Sequence, residues 1–219
     1  VTPTQGRSFI TRIVKAIHER IKPIKPYVKL SSAPIGKHDD LTRYQSYGWN
    51  AYRRVCQDAQ GWLRDGLMDQ LFPMMYFQGR QFFPFAIDWS ENSYGRIVTP
   101  GLGIYFLSPK EKDWPLEIIS REMHVLRQYG LGHAFFRSKF FTDNTKGIYD
   151  FTLKHNASPA LVPPMTWANS TAPAAPTSLA LDRNHVLTWQ KTVTGGDIYY
   201  NVYSSPSHPV DITDGRNLI

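Results

Sequence analysis

Apolar residues recur three and four positions apart over residues 8–21, at Phe9, Ile10, Ile13, Val14, Ile17 and Ile21, which is one face of a helix. Ser8 is its candidate N-cap, and Pro23 and Pro26 end it. The same spacing returns over 50–64 (Tyr52, Val55, Cys56, Ala59, Trp62, Leu63), stopped by Gly66. It returns again over 115–129 (Leu116, Ile119, Met123, Leu126), closed by Gly130 and Gly132. An aromatic segment over 82–89 and the stretch 145–153 predict two more helices. Runs of another kind lie between them. Residues 27–33 read as a short strand closed by Pro34 and Gly36. Residues 69–76 are almost continuously apolar, as in a parallel strand covered on both faces, with a distortion expected at Pro73. Residues 96–106 read as a glycine-broken strand and 133–137 as a fourth.

Strand and helix thus alternate four times, the pattern of βαβ units in an α/β fold with a parallel sheet and right-handed crossovers. A whole (β/α)8 barrel takes about 250 residues, so the four units within 1–157 make either half a barrel or a small open sheet. Composition shifts at Ser158. Pro159, Pro163, Pro164, Pro173 and Pro176 mark 158–176 as a linker or strap. The pattern then turns to period two. Leu179 with Leu181, then 186–189, then 198–203 read as three strands, with Gly195-Gly196 in one of the turns. A β-sandwich takes about 100 residues, so 177–219 reads as an incomplete all-β domain.

Charge and composition narrow the classes of function. The net charge is +7, yet the basic residues are scattered singly or in pairs such as Arg53-Arg54, with acidic neighbours, so no nucleic-acid stripe forms. One cysteine excludes an internal disulfide and a multi-cysteine metal site, and Cys56 reads as a buried thiol among helical apolar positions. The seven histidines show no metal-ligand spacing. Pro100-Gly-Leu-Gly103 lacks the lysine and helix start of a phosphate loop, and no other nucleotide fingerprint exists. The expectation is therefore no metal and no cofactor. No apolar run is long enough to span a membrane. The 12 Phe, 12 Tyr and 6 Trp are numerous; aromatic faces fill cores and also stack on sugar rings.

Several short pieces occur in a set order: Ile21-Lys-Pro-Ile-Lys-Pro26, Ser32-Ala-Pro-Ile-Gly36, Gln57-Asp58, Trp62-Leu63, Gly66, Asp69 and Pro73-Met-Met-Tyr76. With them, 8–153 resembles the C-terminal half of the glycosyl-hydrolase-like family ten catalytic domain. The tail, through Pro176, Leu179, Leu187-Thr-Trp189 and Tyr200-Asn-Val-Tyr203, is similar to the first strands of a fibronectin type III module. The resemblance implies strands five to eight of a TIM (β/α)8 barrel, followed by a partial fibronectin-like sandwich. It also implies a secreted, periplasmic or cell-surface glycoside hydrolase acting on bacterial cell-wall polysaccharide. Family members carry an Asp-Asp-Tyr-type motif at the end of strand four. Nothing in this chain stands in for it.

Glycoside hydrolysis usually uses two carboxyl groups flanking the bond, and in a barrel these sit at the C-terminal ends of strands. Asp39, Asp40, Asp88 and Asp143 follow strands, though none immediately, while Asp58 lies within a helical stretch and Asp69 begins a strand on the opposite face. No catalytic pair can be named. The candidate substrate-binding residues are Tyr76, Phe77 and Gln78 after the second strand, Tyr105 after the third, Arg137 after the fourth, and Trp89 and His38 in loops. For Tyr76 and Phe77, packing inside the barrel is an equal alternative. Two functions remain open. In one, the chain is a fragment of a glycoside hydrolase that supplies part of the sugar-binding rim, lacks the catalytic acids and is inactive alone. In the other it is a non-catalytic carbohydrate-binding or scaffold protein. Either way the expected partner is a polysaccharide or oligosaccharide, and exposed sheet edges favour self-association of the half barrel.

Overall fold

Prolines cannot donate to a ladder, yet three successive strands of this chain each carry one near the end. In the computed structural model, which describes residues 2–192 and 198–219, the carbonyls of all three still serve as acceptors. Met74 N donates to Pro34 O (2.9 Å), Gly101 N to Pro73 O (2.8 Å) and Ala134 N to Pro100 O (2.9 Å). The named strands are short: β1 (Ser31–Ser32), β2 (Gln70–Leu71), β3 (Ile97–Val98), β4 (Gly101–Leu102) and β5 (Ala134–Phe135). They pair in parallel as β1-β2-β3 and β4-β5. Parallel bridges Ile35 to Met74 and Met74 to Gly101 carry the pairing past the prolines. The distortion expected at Pro73 is this interruption between Leu71 and Met74. At Gly36 the backbones come close enough to exclude a side chain, since a Cβ there would lie 2.3 Å from Met74 O.

Helices lie between the strands in sequence. Helix α1 (Pro3–Ile21) precedes β1, α2 (Ala51–Arg54) and α3 (Ala59–Arg64) precede β2, and α4 (Phe83–Glu91) precedes β3. Helix α5 (Leu116–Gln128) precedes β5, and α6 (Lys139–Thr142) and α7 (Ile148–His155) follow it. The fold is thus mixed α/β with small parallel sheets. Its core joins Leu71, Met75, Val98 and Leu102 to Leu63, Phe85, Trp89, Ile119, Met123 and Leu126.

Several expectations need correction. Helix α1 starts earlier than Ser8, because Thr2 accepts from Gln5 N and Gln5 reaches back to Thr2 N, a capping box with Pro3 at the first helical position. Its apolar residues also divide. Val14 is buried, with Ile10 and Ile21 packed on the core, while Phe9, Ile13 and Ile17 are exposed. The single helix expected over 50–64 is two. The chain breaks at Cys56, which takes a left-handed φ of 59° and is only half-buried. Leaving the helix lets Gln57 Oε1 accept from Ile35 N (3.0 Å), and Asp58 then caps α3 through Gly61 N (3.1 Å). Finally, the helix expected over 145–153 begins at Ile148, after a 3-10 turn at Thr145–Gly147.

Two compact units divide the chain, Val1–Asn156 and Ala157–Ile219. In the second, β6 (Thr177–Leu181) and β7 (Leu187–Gln190) form an antiparallel pair with an irregular register between Thr177 and Ala180. The third strand expected over 198–203 is not formed; Tyr203 makes one antiparallel bridge to Leu218. The Gly195-Gly196 turn lies outside the described residues. None of this unit's described residues is buried, and Trp189 packs edge-on against Tyr200 with centroids 5.1 Å apart.

Asp69 ties the first unit together at the start of β2. Its carboxylate accepts from Leu30 N (2.7 Å) and Lys22 Nζ (2.5 Å), and its carbonyl accepts from Ile97 N (3.1 Å). The side chains of Asp69 and Lys22 are only 3% and 16% exposed. Removing one member of such a pair strands the other, at about 3–5 kcal/mol. Asp69→Ala is therefore expected to lower unfolding stability by that amount in urea titration.

Glu122 is a second buried carboxyl with the opposite character. It falls on the core side of α5, is 1% exposed, and neither carboxyl oxygen has a hydrogen-bond partner among the described residues. Burial pushes its pKa up from 4.5 to about 9. A pKa raised on folding gives stability that is full below 4.5 and lost as pH rises towards 9. Glu122→Leu is therefore expected to raise the melting temperature, by more at pH 9 than at pH 5, in paired thermal scans.

Candidate functional site

Because the strands are parallel, their C-terminal ends share one edge of the sheet, and the segments that follow them meet there. After β2 comes Tyr76, after β4 comes Tyr105, and after β5 comes Phe136. Phe136 N donates to Leu102 O (2.9 Å) and Tyr105 N to Phe136 O (3.3 Å), which fixes the backbone beneath the Phe136 and Tyr105 rings. Tyr76 stacks on Phe136 with centroids 5.6 Å apart and planes 22° apart. Tyr105 meets Tyr76 and Phe136 edge-on, at 5.9 and 5.8 Å. Offset and edge-to-face arrangements of this kind are the favourable ones for aromatic pairs. Burial raises both tyrosine pKa values, helped by Tyr105 at Tyr76 and by Glu111 at Tyr105. Both stay neutral hydroxyl donors at ordinary pH. Phe136 is 48% exposed, so the cluster reaches solvent.

A second group stands after β1. Lys37 is almost wholly covered, although a lysine is rarely found so. Its ammonium donates to Tyr47 O and to Gln81 Oε1 (2.8 Å) and lies 4.2 Å from the Phe77 ring centroid. Desolvation lowers its pKa, against the pull of Asp40. His38 is buried beside Tyr52 and Trp89, at centroid distances of 5.5 and 5.8 Å. Its Nε2 is 4.0 Å from Asp58 Oδ1, and its Nδ1 has no partner among the described residues. Burial outweighs Asp58 and Asp39 and brings its pKa down to about 4, so the imidazole is neutral at pH 7. Trp89 is fixed by donating from Nε1 to Gly36 O (2.6 Å).

The candidate residues therefore fall into separate places. Tyr76 and Tyr105 share one aromatic cluster. Phe77 lies under Lys37, and His38 and Trp89 share a second cluster. Gln78 is exposed and lines a different cavity of about 270 Å3, with Phe83, Ile118, Arg121 and Glu122. Arg137 is exposed, its guanidinium 5.8 Å from the Phe140 ring, and it makes no contact with the aromatic cluster that the structure records. Sequence reasoning passed over Phe136 and Lys37. Phe136 stands one place before Arg137, and only the ladder register shows which residue ends the strand. Lys37 carried a weak signal, a cation directly after a strand-closing glycine.

Nearby carboxylates are engaged elsewhere. Asp39 pairs with Arg53 (2.7 Å), Asp40 accepts from Ser46 N (2.9 Å), and Asp143 pairs with Lys139 (2.6 Å). Asp58 is an N-cap rather than a residue within a helix. Asp88 lies inside α4, where burial raises its pKa while it accepts from Gln60 (2.7 Å) and Asn92 (2.9 Å). Among the described residues, no group of three or more His, Cys, Asp or Glu is placed to hold a metal ion, and no helix is long and apolar enough to cross a membrane. Beside the Lys37 ammonium, which Tyr47 and Gln81 hold, and the exposed Arg137, the strand-end edge offers aromatic faces, tyrosine hydroxyls and a neutral imidazole.

Residues 5–108 match the family model described as Glycosyl hydrolase-like 10. Over 197 residues the chain is 30% identical to the protein named Glycosyl hydrolase YngK of Bacillus subtilis (strain 168). That match takes in 81% of this chain and 38% of the relative, so the chain spans well under half of the relative's length. The residues that match this model include β1 to β4 and carry Lys37, His38, Tyr76 and Tyr105.

Proposed function

We propose that this chain is the strand-five-to-eight half of a (β/α)8 barrel in a glycoside hydrolase that acts on bacterial cell-wall polysaccharide. In this reading 1–157 is the half barrel, 158–176 the strap, and 177–219 the start of a fibronectin type III-like module, in a protein that works outside the cytoplasm. The observation that carries the reading is the aromatic cluster of Tyr76, Tyr105 and Phe136 at the C-terminal ends of parallel strands, the edge at which barrel enzymes hold their substrates. A pyranose ring offers C–H groups to an aromatic face and hydroxyls to polar neighbours. The chain's kinship to glycosyl hydrolases supports the same reading.

The chain supplies sugar-binding rim and not the catalytic acids. Hydrolysis needs two carboxyl groups flanking the bond, and the carboxylates near these strand ends are held in caps and ion pairs instead. That engagement also favours the alternative, a non-catalytic carbohydrate-binding or scaffold protein. The exposed stripe of Phe9, Ile13 and Ile17 on α1 supports a further surface packing there, either the other half of a barrel or a second copy.

The test takes the complete reading frame that contains this chain and measures reducing ends released from peptidoglycan. The complete protein is expected to release them and the chain alone to release none. Tyr76→Ala and Phe136→Ala in the complete protein are each expected to weaken glycan binding about tenfold, a change of about 1.4 kcal/mol. A complete protein that binds glycan and releases nothing would favour the scaffold reading.

A further inference from the structure

The loop between β1 and α2 keeps its large side chains in water while its backbone is tied down on both sides. Tyr44, Tyr47 and Trp49 fall within six residues and are 39%, 75% and 67% exposed. A tryptophan is usually well buried. Loops that expose apolar rings without purpose are ordinarily loose, but this one is not. Tyr47 N donates to Gln81 Oε1 (2.9 Å), Tyr47 O accepts from Lys37 Nζ, and Gln45 O accepts from Gln81 Nε2 (3.1 Å). Ser46 donates to Asp40 through its backbone (2.9 Å), and Asn50 Nδ2 donates to Ser46 Oγ (3.0 Å). Gly48, between the two most exposed rings, turns the chain at a φ of +80° that other residues rarely adopt.

The ties do more than hold the loop. They run to Lys37 and Gln81, which follow β1 and β2 at the edge where the aromatic cluster stands. Lys37 also sits over Phe77, the neighbour of Tyr76. The loop is therefore tied to the strand-end edge that also carries the proposed sugar-binding rim. A preset backbone removes much of the ordering cost that a flexible loop would meet on binding. The chemistry presented is two aromatic rings, and the nearby carboxylates are engaged, Asp40 by Ser46 and Asp39 by Arg53.

We propose that the 41–50 loop is an outer glycan-binding platform on which Tyr47 and Trp49 stack against sugar rings, so that the ligand of this edge is an oligosaccharide chain and not a single sugar unit. This rests on the carbohydrate reading given above and adds to it the length of the ligand and the residues that measure it.

The test uses the protein expressed from its complete reading frame and glycan strands from bacterial peptidoglycan, fractionated into disaccharide units and long strands. Binding is followed by calorimetry for the unaltered protein and for Trp49→Ala, Tyr47→Ala and Tyr129→Ala. Tyr129 is a half-exposed tyrosine at the end of α5 and serves as the control for loss of a surface ring. Trp49→Ala and Tyr47→Ala are each expected to weaken binding of long strands about tenfold. Disaccharide binding should stay unchanged, and Tyr129→Ala should have no effect. The exposed positions make misfolding of the variants unlike a binding loss, and circular dichroism separates the two. If the unaltered protein binds both fractions and the two loop variants bind long strands as well as it does, the platform is overturned while the carbohydrate reading stands. If the unaltered protein binds neither fraction, the carbohydrate reading falls and the platform with it.

Discussion

A parallel sheet has no hairpins to set its register, so something else must align the strand starts. Here that constraint is the buried carboxylate of Asp69. It holds the backbone of Leu30 at the head of β1 and the ammonium of Lys22 just past α1, while its own carbonyl holds Ile97 at the head of β3. Two strands and one helix are thereby referred to one residue. The ladder then advances two residues at a time to the far edge, where Tyr76, Tyr105 and Phe136 come level. Displacing Asp69 would shift the alignment of rings that lie at the other end of the strands.

The residues that give the chain its family likeness turn out to act mainly as ties of this sort. Gln57 fills the acceptor role beside Ile35, Asp58 caps α3, and Trp62 Nε1 donates to Thr11 Oγ1 (3.0 Å). The bonds of Gln57 and Trp62 link elements distant in sequence, while that of Asp58 starts its own helix. They hold the far edge steady, and the edge itself is free to carry aromatic and neutral polar groups. Burial keeps His38 and both tyrosines uncharged, and Lys37, a buried cation at the same edge, has its ammonium occupied by Tyr47 and Gln81.

Much of the unit that holds β1 to β5 was legible from periodicity, because a helix that buries one face must repeat its apolar residues every three to four positions. The helices about Ile119 and Val14 follow from that alone, as do the apolar strand around Leu71 and the strand-end placement of Tyr76 and Tyr105. The break at Cys56 was not legible. Its apolar spacing continues straight across 50–64, and the interruption is caused by a hydrogen bond from Ile35 to Gln57, twenty-two residues away in sequence. The expected strand over 198–203 shows the reverse case: alternation is present, but a strand exists only where a partner pairs with it.

By itself, then, the sequence determined which segments can hide an apolar face and which strand-end positions carry rings, since both depend on neighbours a few residues apart. Only the tertiary structure decided that Phe136 and not Arg137 joins Tyr76 and Tyr105, and that Lys37 is covered by the loop it pins. It also decided that the rings of Tyr47 and Trp49 stay in water. These are outcomes of ladder register and of hydrogen bonds between distant segments, and no local pattern of residues encodes either one.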